Sequence, residues 1–67
     1  MQYRTAQQRL EAIVEAYHKI VNRPCTTKEI AEWSLANELY PVPKRGDPPA
    51  ACEAWEARLE AAIRRAT

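Results

Sequence analysis

The side chains best suited to acid–base chemistry lie in the first third of the chain. Glu11, Glu15 and His18 are spaced i, i+4 and i+7, which places them on one side of a helix. General acid–base catalysis uses these residue types, but it also needs a pocket that holds a substrate. A solvated helix face has the same pattern, and the chain contains no glycine-rich phosphate loop and no nucleophile motif. We therefore predict a protein without enzymatic activity, catalytic residues or a small-molecule substrate.

The residue types that bind metals are too few for a structural zinc site. Cys25, Cys52 and His18 make a set of three soft ligands, whereas such a site takes four. The two cysteines are far apart in the sequence and form no C-x-x-C motif. In a reducing compartment such cysteines most often act as small buried apolar side chains. The sequence thus predicts no metal, no cofactor and no disulfide.

The basic residues define one candidate nucleic-acid surface. The net charge is +1, without the clear basic excess that a dedicated nucleic-acid binder of this size usually carries. The cations available to hold phosphates are Lys44, Arg45, Arg58, Arg64 and Arg65. The same region contains three glutamates, Glu53, Glu56 and Glu60, which would face phosphate unfavourably. These cations suit contact with a DNA backbone better than the reading of base edges.

Nothing in the sequence predicts a membrane association. No apolar run approaches the roughly 20 residues that span a bilayer. The N-terminal residues MQYRTAQQRLE lack the apolar core of a signal peptide. We expect a cytoplasmic protein.

The elements that position these residues are helices. The first is predicted over 5–22, where Thr5 and Gln8 match a capping box and Asn22 precedes Arg23-Pro24 as a C-terminal cap. Its apolar stripe falls within an arc of roughly 100° at the helical step. The stripe comprises Tyr3, Ala6, Leu10, Ile13, Val14, Tyr17, Ile20 and Val21.

Two further helices follow. The second is predicted over 27–39, with Thr26 and Glu29 placed as a capping box. A proline-rich loop covers 40–49, and the third helix is predicted over 48–66 with Asp47 as its N-cap and Pro48 at its first position. Its apolar stripe is Cys52, Trp55, Leu59, Ala62, Ile63 and Ala66. The fold class is all-α, one three-helix domain over 1–67.

The second helix has two faces that compete for the core. One face carries Thr27, Ile30, Ala31, Ser34 and Leu35, small and medium residues that suit close packing; the other carries Trp33, Ala36, Asn37 and Tyr40. In one interpretation Trp33 packs on the proline loop or on Trp55. In the other, Trp33, Tyr40 and Pro41 form an exposed aromatic patch of the kind that anchors protein interfaces. The protein-interface candidates are Trp33, Asn37, Tyr40, Pro41 and Pro43.

The stretch TTKEIAEWSLANELY resembles the second helix of bacterial helix-turn-helix and winged-helix domains. The matching residues are Thr26, Glu29, Ile30, Ala31, Leu35 and Leu39, and the resemblance extends over about 25–66. It implies a three-helix fold of helix-turn-helix type, with the third helix as a DNA-recognition helix. The sequence departs from that family at Glu38, where a glycine turn is usual, in a loop longer than the usual turn, and in having no β-wing after the third helix.

Together these features predict a small binding module rather than an enzyme. The leading hypothesis is a regulatory or adaptor domain that acts through protein–protein contact, with a different protein or with a second copy of itself. The alternative is a DNA-binding helix-turn-helix regulator that holds phosphates as a dimer.

Overall fold

The computed structural model of the protein describes residues 3–66, and three helices account for most of them. They are α1 (Ala6–Val21), α2 (Thr27–Ala36) and α3 (Pro49–Ala66), and the described residues include no strand. The predicted all-α, three-helix fold is therefore confirmed. Among residues 3–66 no helix is long and apolar enough to cross a membrane.

Both ends of α1 are capped by the residues that the sequence indicated. The amide of Gln8 donates to Thr5 Oγ1 at 3.1 Å, and the amide of Thr5 donates to Gln8 Oε1 at 3.2 Å, which completes a capping box. At the other end Asn22 adopts the left-handed conformation with φ 52° and donates its amide to the His18 carbonyl. The predicted range 5–22 therefore consists of the helix and its two caps.

Thr26 caps the start of α2 as the sequence predicts, although the Glu29 carboxylate accepts from the Thr26 hydroxyl at 3.3 Å rather than completing a capping box. The amide of Glu29 donates to Thr26 Oγ1 at 3.2 Å. The Glu29 carboxylate accepts from the Arg23 guanidinium at 2.8 Å, so the residue before Pro24 is tied to the first turn of α2. This hydrogen bond holds the pKa of Glu29 below its usual value and raises the pKa of Arg23.

The predicted extension of α2 to residue 39 was wrong, because the chain leaves the helix through a Schellman motif. Glu38 has φ 58°, and its amide donates to the Leu35 carbonyl at 3.2 Å. The amide of Leu39 donates to the Ser34 carbonyl at 2.8 Å, and the Leu39 side chain is fully buried. This motif usually places glycine at the left-handed position. Here glutamate occupies that position, so the sequence lacks the glycine that would indicate the end of the helix.

The loop from Asn37 to Pro48 ends in a turn that uses Asp47 differently from the prediction. The Asp47 carboxylate accepts from the amide of Lys44 at 2.9 Å, and the amide of Asp47 donates to the Lys44 carbonyl at 3.0 Å. The residue that directly precedes α3 is Pro48, whose carbonyl accepts from the amides of Ala51 and Cys52. The predicted start of α3 was one residue too early. The Tyr40–Pro41 peptide bond in this loop is cis.

The core lies on one side of α1 and is centred on Trp55. This residue has no exposed surface, and its indole N–H donates to the Leu39 carbonyl at 2.9 Å. The Tyr3 ring meets it edge-on, with ring centroids 5.8 Å apart. The other core residues are Ala12, Ile13, Ala16, Leu39, Cys52, Leu59 and Ala62. The apolar stripe predicted for α3 supplies four of these buried side chains, Cys52, Trp55, Leu59 and Ala62.

The side of α1 that is buried differs from the side that the sequence indicated. Its buried residues are Arg9, Ala12, Ile13 and Ala16, of which only Ile13 belongs to the predicted stripe. By the 100° helical step, the buried side is rotated roughly 90° from the centre of that stripe. A strip of α1 rich in large apolar residues therefore lies outside the main core.

Arg9 is the most unusual residue of this core, because only 1% of its surface is exposed. Its guanidinium donates to the Pro43 carbonyl at 2.7 Å, the Tyr3 carbonyl at 3.1 Å and Cys52 Sγ at 3.1 Å. Its Nε has no hydrogen-bond partner among the described residues, and no carboxylate pairs with it there. Arg9 thus joins the N-terminal segment, the loop and α3 through neutral acceptors.

Candidate functional site

An apolar groove runs between α1 and α2 and encloses about 510 Å³. It contains the three large apolar residues that are most exposed in the described chain: Leu35 at 61%, Tyr40 at 55% and Leu10 at 38%. The full lining is Leu10, Ile13, Val14, Thr27, Ile30, Ala31, Ser34, Leu35 and Tyr40. Scattered surface leucines need no explanation, whereas exposed apolar residues that share one groove form a contiguous apolar surface.

The chemistry of the groove suits apolar side chains rather than a polar ligand. Thr27, Ser34 and Tyr40 are its only lining residues with polar side chains. Ser34 is buried, and its hydroxyl donates to the Ile30 carbonyl at 2.8 Å within α2. This bond within the helix occupies the Ser34 hydroxyl proton. The groove therefore presents little hydrogen-bonding capacity between its apolar walls.

The structure divides the predicted aromatic patch. The Trp33 side chain is half-buried and packs on the core, with its ring 5.2 Å from the ring of Tyr17 in α1. Of the two interpretations, the packed one describes its position, although its aromatic neighbour is Tyr17 rather than Trp55. Asn37 is also engaged: its Nδ2 donates to the Trp33 carbonyl at 2.9 Å, and its Oδ1 accepts from Arg65 at 2.7 Å.

The remaining interface candidates differ in their exposure. Tyr40 and Pro41 are exposed, whereas Pro43 is buried and accepts the hydrogen bond from Arg9. Tyr40 lies in the groove with Leu35 and Ala31, which belong to the face of α2 that the sequence assigned to close packing. The groove therefore contains one predicted interface residue, Tyr40, together with residues from the face of α2 opposite to Trp33.

Sequence reasoning missed Leu10, Val14 and Leu35 as parts of a surface. A signal for the first two was present, because the apolar stripe predicted for the first helix contains eight residues, more than the core of so small a domain covers. For Leu35 the pattern of α2 gave no signal, since a leucine beside Ile30 and Ser34 is typical of a packed face.

The predicted phosphate-binding cations separate into two groups. Arg58 Nε donates to the Glu38 carbonyl at 2.8 Å, and Arg65 donates to Asn37, so these two residues tie α3 to the end of α2. Arg64 lies 3.7 Å from Glu60. Lys44 and Arg45 are exposed on the turn that Asp47 closes. The structure therefore offers one compact, accessible cationic pair on the loop.

The candidate acid–base and metal-binding residues lie at the surface or in the core, with only His18 and Cys25 of the metal-binding candidates in the same shallow depression among residues 3–66. Glu11, Glu15 and His18 are all exposed on α1. Cys25 and Cys52 are both free thiols. Within residues 3–66 no three side chains of His, Cys, Asp or Glu are grouped as metal ligands.

Comparison with known proteins adds no relative. The chain matches no protein-family model, and no curated protein or solved structure is significantly similar to it.

Proposed function

We propose that this protein is a non-enzymatic binding module, a regulatory or adaptor domain that acts through protein–protein contact at the groove between α1 and α2. The observation that carries the proposal is the shared position of Leu10, Leu35 and Tyr40 in one open apolar groove. A domain of this size needs most of its large side chains for its own stability. Three of them nevertheless remain accessible, whereas Arg9 is buried in the core. This arrangement favours a role for the three side chains in contact with another protein.

The expected affinity is modest. Covering one large apolar side chain contributes about 1.5–3 kcal/mol, and association itself opposes part of that gain. Three such anchors contribute about 4.5–9 kcal/mol before that cost, so we expect a dissociation constant on the order of a hundred micromolar to millimolar. The partner is a different protein or a second copy of this chain.

A matched pair of variants tests the proposal. Leu35→Gln replaces an exposed groove residue with a polar one of similar length and good helix propensity, and Ala54→Gln makes a comparable change on the exposed surface of α3. Both should keep the circular-dichroism melt of the wild type. Light scattering over a range of concentrations reports self-association, and ¹⁵N chemical-shift mapping with amphipathic helical peptides reports hetero-association.

We expect Leu35→Gln to weaken the observed complex about tenfold or more, and Ala54→Gln to leave it within about twofold. A wild-type protein that stays monomeric and binds no peptide at the groove would overturn the proposal. So would a complex that Ala54→Gln weakens as strongly as Leu35→Gln does.

DNA binding is the second candidate function. It is supported by the exposed pair Lys44 and Arg45 on a closed turn, and by the resemblance of residues 25–66 to helix-turn-helix domains. The hydrogen bonds that hold Arg58 and Arg65 against the end of α2 reduce the number of cations that reach a phosphate backbone.

The DNA hypothesis has a direct test. Duplex affinity should fall steeply between low and physiological salt, and Lys44→Glu combined with Arg45→Glu should abolish it. Duplex binding that is absent at low salt, or unchanged in the double variant, would exclude this mode.

A further inference from the structure

We infer that the groove between α1 and α2 accepts an amphipathic helix whose apolar stripe is flanked by lysine or arginine. This inference rests on the proposed function, because it concerns the partner of the same groove. Two observations carry it: the form of the groove and the charges along its two rims.

The groove has helical walls on both sides. Leu10 and Val14 stand one turn apart on α1, and Ala31 and Leu35 stand one turn apart on α2. An amphipathic helix docks into such a groove with apolar anchors at i, i+3 or i+4, and i+7. Both walls are helices, whose main-chain N–H and C=O groups bind each other, so the groove offers little to an extended strand, which needs main-chain hydrogen bonds from its receptor.

The rims of the groove are acidic. On α1, Glu11 and Glu15 line a shallow depression that adjoins the groove through Leu10 and Val14. On α2, the exposed residues Lys28 and Glu32 directly follow the lining residues Thr27 and Ala31. Glu11 and Glu15 are exposed as well. The exposed charged residues next to the groove lining on the two helices are therefore three carboxylates and one ammonium group, which is an excess of negative charge.

These carboxylates are not neutralised within the domain. Glu11, Glu15 and Glu32 have no ion pair with any of residues 3–66; Glu11 accepts only a long hydrogen bond, 3.4 Å, from Gln7. Several cations of the chain are engaged elsewhere: Arg23 with Glu29, Arg58 with the Glu38 carbonyl, and Arg65 with Asn37. A basic helix would supply the missing counter-charges.

The same charges argue against a groove-to-groove pair of identical copies. In a two-fold dimer each copy would present the same acidic rims to the other, and like charges in an interface oppose association. The favoured occupant is therefore a basic helix that belongs to a different protein.

Two designed peptides of about 18 residues, or five helical turns, serve as probes. Both have leucines along one stripe, with lysine at every flanking position in one and glutamate in the other. Isothermal titration calorimetry and ¹⁵N shift mapping at low and at physiological salt measure their affinity for the wild type, for Leu35→Gln and for two charge variants. Glu11→Gln with Glu32→Gln removes two rim carboxylates. Glu53→Gln with Glu60→Gln removes two exposed carboxylates on α3 and keeps the net charge matched.

We expect the lysine peptide to bind the wild type at least about tenfold more tightly than the glutamate peptide at low salt. The rim variant should lose about three- to tenfold in affinity for the lysine peptide, and the α3 variant less than twofold. Leu35→Gln should weaken its binding about tenfold, with the shifts confined to the groove.

Other results overturn the inference, and they separate it from the proposed function. Equal binding of both peptides, each weakened by Leu35→Gln, would leave the groove as a docking site and reject the basic partner. Self-association that Leu35→Gln abolishes would assign the groove to a second copy. Equal losses in the rim and α3 variants would reduce the effect to net charge. Absence of any binding at the groove would reject both the inference and the proposed function.

Discussion

The two sides of α1 belong to the same helix but differ in how deeply their residues are buried. Toward α3, Trp55 and Leu59 close over Ala12 and Ala16, and even an arginine is buried there. Toward α2, Leu10 remains more than a third exposed and faces Leu35 across an open groove. The closed side is lined on α1 by small residues, whereas the open side has the larger apolar ones.

The helices that flank α1 also differ in length. With a rise of 1.5 Å per residue, the 16 residues of α1 extend about 24 Å, the 18 of α3 about 27 Å, and the 10 of α2 only about 15 Å. The second helix is therefore the shortest wall against which α1 packs. The comparison shows that apolar periodicity specifies which residues favour burial, while the packing of the neighbouring helices decides which of them are buried.

The largest effect should come from the closed side. Trp55→Ala removes a fully buried indole and its hydrogen bond to the Leu39 carbonyl, at a cost of about 3–5 kcal/mol. Because the core of a domain of this size supplies about 3–5 kcal/mol, this loss equals most or all of the stability, and a large fraction of the variant should be unfolded by circular dichroism at 25 °C. Trp55→Phe should stay folded with a loss of about 1–2 kcal/mol in urea titrations. A well-folded Trp55→Ala protein would contradict the assignment of the core to this side.

Arg9→Met should have the next largest effect. Methionine keeps the apolar stem but leaves the Pro43 carbonyl without its donor, which costs about 1–3 kcal/mol. Chemical denaturation of Arg9→Met beside Arg4→Met, an exposed neighbour, measures this effect. Equal or greater stability of Arg9→Met would mean that the desolvation of the guanidinium outweighs its hydrogen bonds.

The two faces of α2 should respond differently to truncation. Trp33→Ala loses the contact with Tyr17 and part of the core, and should lower the free energy of unfolding by about 1–3 kcal/mol. Leu35→Ala should stay within about 0.5 kcal/mol of the wild type, because its side chain is mostly exposed. Thermal melts of the two variants measure these losses. A larger loss of stability in Leu35→Ala than in Trp33→Ala would mean that the face of α2 with Leu35 is the packed one.

Glu38→Gly should give a small gain in stability. The residue has φ 58°, a conformation that costs a non-glycine residue about 1 kcal/mol, and its hydrogen bond from Arg58 uses the main-chain carbonyl, which glycine retains. The melting temperature should rise by about 4–8 °C. Asn22→Gly is the matched control and should gain less, since asparagine tolerates this conformation. A lower melting temperature for Glu38→Gly would indicate a stabilising role for the carboxylate.

The number and order of the helices followed from local signals in the sequence. Thr5, Asn22 and Thr26 cap helices where their types indicated, because capping depends on neighbours within one turn. The stop of α2 was missed because the usual glycine is absent at Glu38. The burial of Arg9 was missed because its acceptors, the carbonyls of Tyr3 and Pro43 and the thiol of Cys52, meet only after the chain folds.

The groove was less accessible to prediction for the same reason. Local periodicity marked Leu10 and Val14 as apolar, but their exposure depends on how α2 is placed against α1. Tyr40 and Pro43 are both interface candidates by residue type, yet Tyr40 is exposed and Pro43 is buried. Exposure is a property of tertiary packing, and residue type predicts it poorly in so small a domain.

The hydrogen bonds of Arg9 also have a consequence for how the native domain opens. They join residues 3, 43 and 52, so the N-terminal segment, the end of the loop and the start of α3 must separate together before water reaches the guanidinium. The hydrogen bonds that hold the ends of α2 are exposed to water instead: Arg23 binds Glu29 in its first turn, and Arg65 binds Asn37 after its last. Amide hydrogen exchange should therefore detect two cooperative units: α2 opening at low free energy, and α1 with α3 exchanging only through global unfolding. The part of the molecule that forms one wall of the groove is then also the part most free to adjust to whatever occupies it.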